Sequence, residues 1–458
     1  MSCAYCDKTI GSVESRSAGP AGIRASGAVA GFSANHGMSA LHAKYSAVRS
    51  MSDSLVAGLS AEDQMVQSCP DASPLKWHQA HTTWFFETFV LQPFLSDYKL
   101  FREAFHWLFN SYYISLGEEI PEKRLRSSFS RPSLGEVVAF RAHVDREMER
   151  LFADSIDAEA YRRIVLGLSH EQQHQELALT DIKHAFFSNP LRPSYLSCAL
   201  PKDRTHGVPT LEWHNHGGGV SEIGCLPNSD NPLDFSFDNE TPCHWVYLQP
   251  FQIANRSVTC REYLEFMSDD GYTRPGLWLS DGWDLVKQSR WEAPLYWERD
   301  ASDESGWRVF TLRGWHGVSD LLDTPVCHIS FYEADAFARS RGCRLPTEAE
   351  WESIASQEPL QGNLLNAGRL HPATASGAAG VEQLFGDCWE WTASSYTGYP
   401  GYKSLPGALG EYNGKFMSGQ MVLRGGSCVT PVDHIRATYR NFFPPATRWQ
   451  FSGIRLAK

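Results

Sequence analysis

The sequence predicts an α+β multidomain protein, in which a helix bundle precedes a domain of short strands and irregular connections. Three observations carry this. At 458 residues the chain exceeds what one hydrophobic core usually organises. Up to about residue 188, large apolar side chains recur at spacings of three and four, which is the helical period. From Trp213 onward that pattern gives way to short apolar runs separated by Gly, Pro, Asn and Asp, the mark of strands joined by turns.

Residues 1–44 are rich in Gly, Ala and Ser and show no periodicity, so they are expected to form a flexible extension that cannot offset the entropy of ordering. Cys3 and Cys6 lie within it, but no second pair or nearby His pair completes a zinc site. Over residues 45–188, Trp84, Phe85, Thr88 and Phe89, then Ile164, Leu168, Leu177, Leu179 and Ile182, mark the helices of the bundle. Pro190, Pro193 and Pro201 break the pattern and assign residues 189–212 to a linker. In residues 213–458 helical stretches are confined to segments such as 332–341 and 348–355. No repeat of fixed period is present, which disfavours a propeller or solenoid.

Composition narrows the function. Net charge is −12 with both signs interleaved and no Lys/Arg block, so nucleic acid is not an expected partner. No run approaches the roughly 18 apolar residues of a membrane span, and the N-terminus has no apolar core of a signal peptide. The 11 cysteines are an odd number and, after Cys6, are scattered singly from Cys69 to Cys428. Reduced thiols in a cytoplasmic protein are therefore expected.

The sharpest chemical signal is His170-Glu-Gln-Gln-His174-Gln-Glu176 inside a helix. His170 and His174 are four apart, share one face and can bind one metal ion. Glu176 lies about 200° around the helix from His174, so it is expected to point away and serve structure. His184 is on the right face but about 21 Å along the axis from His170, too far for the same ion. A third ligand must come from elsewhere, and Trp77-His78-Gln79-Ala80-His81 offers His78 or His81 on another helix. Three neutral imidazoles leave positions open for further ligands and suit Fe(II), Zn(II) or Cu(II).

These segments resemble a known family. Ser73-Pro-Leu-Lys-Trp-His-Gln-Ala-His-Thr-Thr-Trp-Phe-Phe-Glu87, the H-x3-H-x-E segment, Arg344-Leu-Pro-Thr-Glu-Ala-Glu-Trp-Glu352, Gly386-Asp-Cys-Trp-Glu-Trp-Thr392 and Leu423-Arg-Gly-Gly-Ser427 are similar to motifs of the ergothioneine sulfoxide synthases of the EgtB type. That family fuses a DinB-like four-helix bundle to a formylglycine-generating-enzyme-like, C-type-lectin-related domain, and the resemblance implies the same for this chain. The resemblance covers nearly everything after residue 44. It implies Fe(II) held by His81, His170 and His174, with His78 a structural neighbour. It also implies an O2-dependent reaction joining the sulfur of cysteine to the imidazole of hercynine as a sulfoxide.

Further roles follow from the same resemblance. Gln173 matches a position that hydrogen-bonds the substrate imidazole. Phe109-Asn-Ser-Tyr112-Tyr113 resembles the bacterial branch in which a tyrosine pair donates the catalytic proton, while Tyr396 and Tyr399 keep open a tyrosine from the second domain. A phenol, with an ordinary pKa near 10, stays protonated at neutral pH. In Arg440-Asn-Phe-Phe-Pro-Pro-Ala-Thr-Arg448, Asn441 and Phe442 are expected at the trimethylammonium group. Arg448, or one of Arg124, Arg126 and Arg131, is expected to clamp a carboxylate. An acidic residue used by the actinobacterial branch to bind γ-glutamylcysteine is absent near Phe443, which favours free cysteine as donor. Cys260 and Cys388 replace residues usual in related domains and are expected as small buried thiols. The rival readings are γ-glutamylcysteine as donor, an ovothiol-type synthase using histidine, a DinB-like zinc-dependent thiol transferase, and a noncatalytic lectin-like binding module.

Overall fold

The computed structural model describes residues 34–111, 113–117, 120–154, 156–202, 207–226 and 235–458. Tyr112, Cys3 and Cys6 lie outside the described residues. Helix α1 spans Ala34–Val56. Helix α2, Leu75–Phe86, continues through a π-helical turn, Glu87–Leu91, into the short α3, Gln92–Phe94. After α4, Glu103–Leu108, come α5, Leu134–Ala153, and the 31-residue α6, Ala158–Ser188. The start of α1 corrects the expectation of a flexible segment through residue 44. Leu41, Tyr45 and Val48 recur at helical spacing, and each is at most 4 % exposed. Burial of that stripe outweighs the weak composition around it.

The four long helices α1, α2, α5 and α6 form the bundle. Local chemistry sets their starts. Ser133 Oγ accepts from the Glu136 amide while the Glu136 carboxylate accepts from the Ser133 amide, a reciprocal cap on α5. The Asp157 carboxylate caps α6 through the Ala160 amide at 2.7 Å. A buried ion network sets the roll of α6. The Arg49 and Arg141 guanidiniums lie 3.0 and 2.9 Å from the Glu171 carboxylate, and Ser52 Oγ donates to it at 2.6 Å. Burial alone would raise Glu171, but the two arginines outweigh it and hold the carboxyl at about 2.

The second domain is built from small sheets. Strands β1, Trp213–His216, and β4, Phe251–Ala254, pair antiparallel, as do β2, Gly219–Ile223, and β3, His244–Leu248. Helices α7, Cys260–Ser268, and α8, Ser280–Ser289, precede a three-stranded meander of β5, Trp297–Arg299, β6, Trp307–Thr311, and β7, Gly314–Gly317. Helices α9, Phe331–Ser340, and α10, Glu348–Ala355, lead to the parallel pair β8, Gly362–Asn363, and β9, Phe385–Gly386. The central sheet has the order β12-β11-β10-β13, with β10 at Trp389–Ser395, β11 at Met421–Arg424, β12 at Asn441–Phe443 and β13 at Ser452–Gly453. Its core holds Trp389, Trp391 and the buried Glu390, which pairs with Arg455 and accepts from Trp351 Nε1. Cys260 and Cys388 are both buried here. Gly425 explains the Arg-Gly-Gly turn: its φ is +97°, and a Cβ would stand 2.2 Å from the Leu384 carbonyl.

Helix α6 is the shared wall between the two domains. The Glu176 carboxylate leaves the bundle and accepts from Trp389 Nε1 and, at 2.7 Å, from Thr430 Oγ1. Gln172 Nε2 donates to Asp433 at 2.6 Å, and Lys183 Nζ reaches His328 Nε2 at 2.7 Å. From the other side, the Glu411 carboxylate accepts from the Ile114 and Ser115 amides at 2.9 and 3.0 Å, tying the segment after Tyr113 to the second domain.

Candidate metal centre at the domain junction

Helices α2 and α6 bring three imidazoles to one point. The ligand atoms of His81, His170 and His174 all lie within 4.8 Å of one another. His81 and His170 are fully buried, and His174 is partly buried. Desolvation is the main cause that holds their pKa values down, to about 3 for His170 and well below the ordinary histidine value for His81 and His174. The rings are therefore neutral at neutral pH, the state in which an imidazole nitrogen can bind a metal.

Their hydrogen bonds decide which nitrogen is free. His81 Nδ1 lies 2.7 Å from the Phe109 carbonyl, which only accepts, so the proton sits on Nδ1. Its Nε2 is buried without a hydrogen-bond partner. His170 Nε2 and His174 Nε2 face each other at 3.1 Å. The ring of His81 is clamped in a column: Trp77 stacks on it at 4.4 Å and Trp84 on its other side at 5.5 Å, while the Arg126 guanidinium covers Trp77 at 3.5 Å. Such stacking fixes the ring plane, and so the direction of Nε2.

The second domain closes the site with aromatic rings. Tyr412 meets His170 edge-on at 5.5 Å, and Phe237 lies against Tyr412 and Tyr439 at 5.6 and 5.8 Å. Gln173 Nε2 donates to the Tyr439 hydroxyl at 2.6 Å, and Gln173 Oε1 is buried without a partner. Tyr113, fully buried, packs on Trp84 and Phe89 at 5.5 and 5.2 Å.

Other residues singled out in the sequence lie elsewhere. Arg448 pairs with the buried Glu333 at 2.8 Å, donates to the Ala293 carbonyl and lies over the face of Trp291. Arg124 pairs with Glu122, whereas Arg126 bonds Ser73 Oγ at 2.8 Å and Ser111 Oγ at 3.0 Å beside the histidines. Phe442 stacks on Tyr396 at 3.9 Å, and Asn441 accepts from the Phe442 amide at 2.9 Å. The Tyr396 hydroxyl accepts from Asn239, and that of Tyr399 sits between Glu348 and Arg424. Glu176 points away from the histidines as its helical angle requires, and His184 bonds Ser68 instead. Phe237, Tyr412 and Tyr439 were not anticipated, because they come from irregular segments with no period to mark them.

Two family models match the chain: the DinB superfamily over residues 44–178 and the sulfatase-modifying factor enzyme 1-like domain over residues 217–458. A hercynine oxygenase of Mycolicibacterium smegmatis is 32 % identical over 323 residues, covering 64 % of this chain and 71 % of the relative. One from Mycobacterium tuberculosis is 33 % identical over 314 residues, covering 63 % of this chain and 70 % of the relative. Ergothioneine biosynthesis protein 1 of Schizosaccharomyces pombe is 28 % identical over 267 residues, covering 55 % of this chain and 32 % of that protein. No helix among the described residues is long and apolar enough to cross a membrane.

Proposed function

Because the chain belongs to the hercynine oxygenase family, in which a DinB-type bundle is fused to a sulfatase-modifying factor enzyme 1-like domain, we propose that it is an iron(II)-dependent oxidoreductase. In this reading it uses O2 to join cysteine to hercynine as an S-linked sulfoxide, in ergothioneine biosynthesis. The observation that carries the reading is the buried, neutral three-histidine cluster with an orphaned His81 Nε2, set beneath an aromatic wall from the second domain. An imidazole nitrogen buried without a partner is costly unless a ligand satisfies it. The donor set therefore fits a metal ion, with His81, His170 and His174 holding it.

Iron(II), when bound, supplies O2 activation and open positions for a thiolate. The protein supplies placement and protons. Gln173, held by Tyr439, has its free carbonyl oxygen available to accept the N–H of the substrate imidazole. The trimethylammonium group is assigned to the rings of Phe237, Tyr412 and Tyr439, with Asn441 and Phe442 further along the same domain. Tyr113 and Tyr112 are assigned as the proton-donating pair, and Glu411 holds the turn that follows them. Arg126, beside the histidines, takes over from Arg448 as the candidate clamp for the cysteine carboxylate. The acidic residue that would favour γ-glutamylcysteine is absent, so free cysteine is the assigned donor.

The test is to reconstitute the protein with Fe(II) under anaerobic conditions, add hercynine and cysteine, admit O2 and look for the sulfoxide by mass spectrometry. We expect product from the native chain and none from His81→Ala or His174→Ala. Thiol transfer that proceeds without O2 would instead favour a zinc-dependent transferase.

A further inference from the structure

His78 lies three residues before His81 on α2, and Asp181 lies seven after His174 on α6, two helical turns along the same face. Both are buried, each 4 % exposed. His78 Nδ1 is 2.7 Å from His174 Nδ1, and His78 Nε2 is 3.0 Å from Asp181 Oδ2, which also accepts from the Ser73 amide at 2.8 Å. The three side chains form one line, from the candidate metal ligand through a second imidazole to a carboxylate that the Ser73 backbone holds in place.

The direction of each hydrogen bond follows from which atoms can donate. A carboxylate only accepts, so the proton between His78 and Asp181 belongs to His78 Nε2. When the His78 ring carries that one proton alone, a lone pair is left on Nδ1. The short contact between the two Nδ1 atoms then requires the N–H of His174 on Nδ1. His174 Nε2, the atom facing His170, is left with the lone pair. The backbone carbonyl of Phe109 imposes the same tautomer on His81.

We propose that His78 and Asp181 are positioning residues for His174: the relay fixes its tautomer and ring orientation, and the carboxylate at its far end strengthens Nε2 as a metal donor. Outer partners of this kind hold a ligand in its binding form before the ion arrives. The inference rests on the reading of the three histidines as a metal site. It assigns to His78 a task beyond that of a structural neighbour.

Two measurements on the full chain test it. In nitrogen-15 histidine-labelled protein without metal, long-range proton–nitrogen correlations should show His174 protonated on Nδ1 and bare on Nε2; an Nε2-protonated His174 would overturn the proposal. The Fe(II) dissociation constant, measured anaerobically against a competing chelator, should rise about 10- to 100-fold in His78→Leu. Asp181→Asn, which keeps an acceptor oxygen but loses the charge, should fall between that variant and the native chain. Constants within twofold of native in both variants would sink the relay. If His78→Leu does not fold, Asp181→Asn carries the affinity test alone. If the native chain binds no Fe(II), the metal reading fails, and the tautomer of His174 still decides the relay.

Discussion

Lys183 shows what a single side chain contributes where the domains meet. It is 1 % exposed on α6, its hydrogen-bond partner is His328, and its ammonium lies over the rings of Tyr296 and Phe451, each at 4.7 Å. Desolvation lowers its pKa from 10.5 to about 8. Between those two values the unfolded chain binds more protons than the folded one, so stability rises with pH through that window. Below pH 8 the full penalty is present, worth about 3 kcal/mol. Lys183→Met should therefore raise the thermal midpoint at pH 7, with the gain shrinking towards pH 10; a gain independent of pH would contradict this account. The residues of the three-histidine cluster were legible in the sequence for a local reason. An i, i+4 pair of histidines on a helix fixes its own geometry, and the same helical angle sent Glu176 the other way. The ion pair of Arg448 was not legible, because its partner Glu333 lies 115 positions earlier in the chain and nothing local announces it.

Among the elements, the α2–α6 contact decides whether the cluster exists, since His81 rides on one helix and His170 and His174 on the other. The two helices touch at Gly167, three residues before His170. A Cβ there would meet Phe85 and Phe86 ring carbons at 2.8 Å. A glycine inside a helix costs about 1 kcal/mol relative to alanine, so its presence is repaid by the close approach it permits. Gly167→Val should push the helices apart, destabilise the fold by about 1–3 kcal/mol in urea unfolding and weaken Fe(II) binding. Intact metal affinity in a folded variant would show that the helices tolerate the gap. The main helices could be read from their three- and four-residue spacing. The π-helical turn at Glu87–Leu91 could not, because one extra residue per turn breaks the period on which that reading depends. The small sheets were legible only as short runs, since their pairing joins strands far apart in sequence, as β10 does with β13.

At the scale of the whole molecule, two recognisable segments share one site. The bundle supplies the imidazoles and Gln173; the second domain supplies Phe237, Tyr412 and Tyr439. Their boundary in sequence is plain, yet their boundary in space runs through α6. Glu176, Gln172 and Lys183 take their partners from beyond the linker, and Glu411 reaches back to the segment after Tyr113. The fold class was legible from composition and periodicity, whereas this interlocking was not, because each tie joins residues more than 140 positions apart in the chain.

The anchoring of Glu176 also limits how far the protein can be treated as interchangeable parts. Motifs such as Gly386-Asp-Cys-Trp-Glu-Trp-Thr392 make the second segment look like a cassette, exchangeable for another domain of the same type. A chimera whose replacement domain has no hydroxyl at the Thr430 position would keep Trp389 through the shared motif but lose an acceptor–donor pair two residues from His174. A buried carboxylate stripped of a donor costs about 1–3 kcal/mol, which falls on the helix that carries His170 and His174. Chimeras that carry a hydroxyl at that position should therefore bind Fe(II) more tightly than those that do not, so exchange of this domain is constrained by one hydroxyl–carboxylate pair as well as by the motifs that make it recognisable.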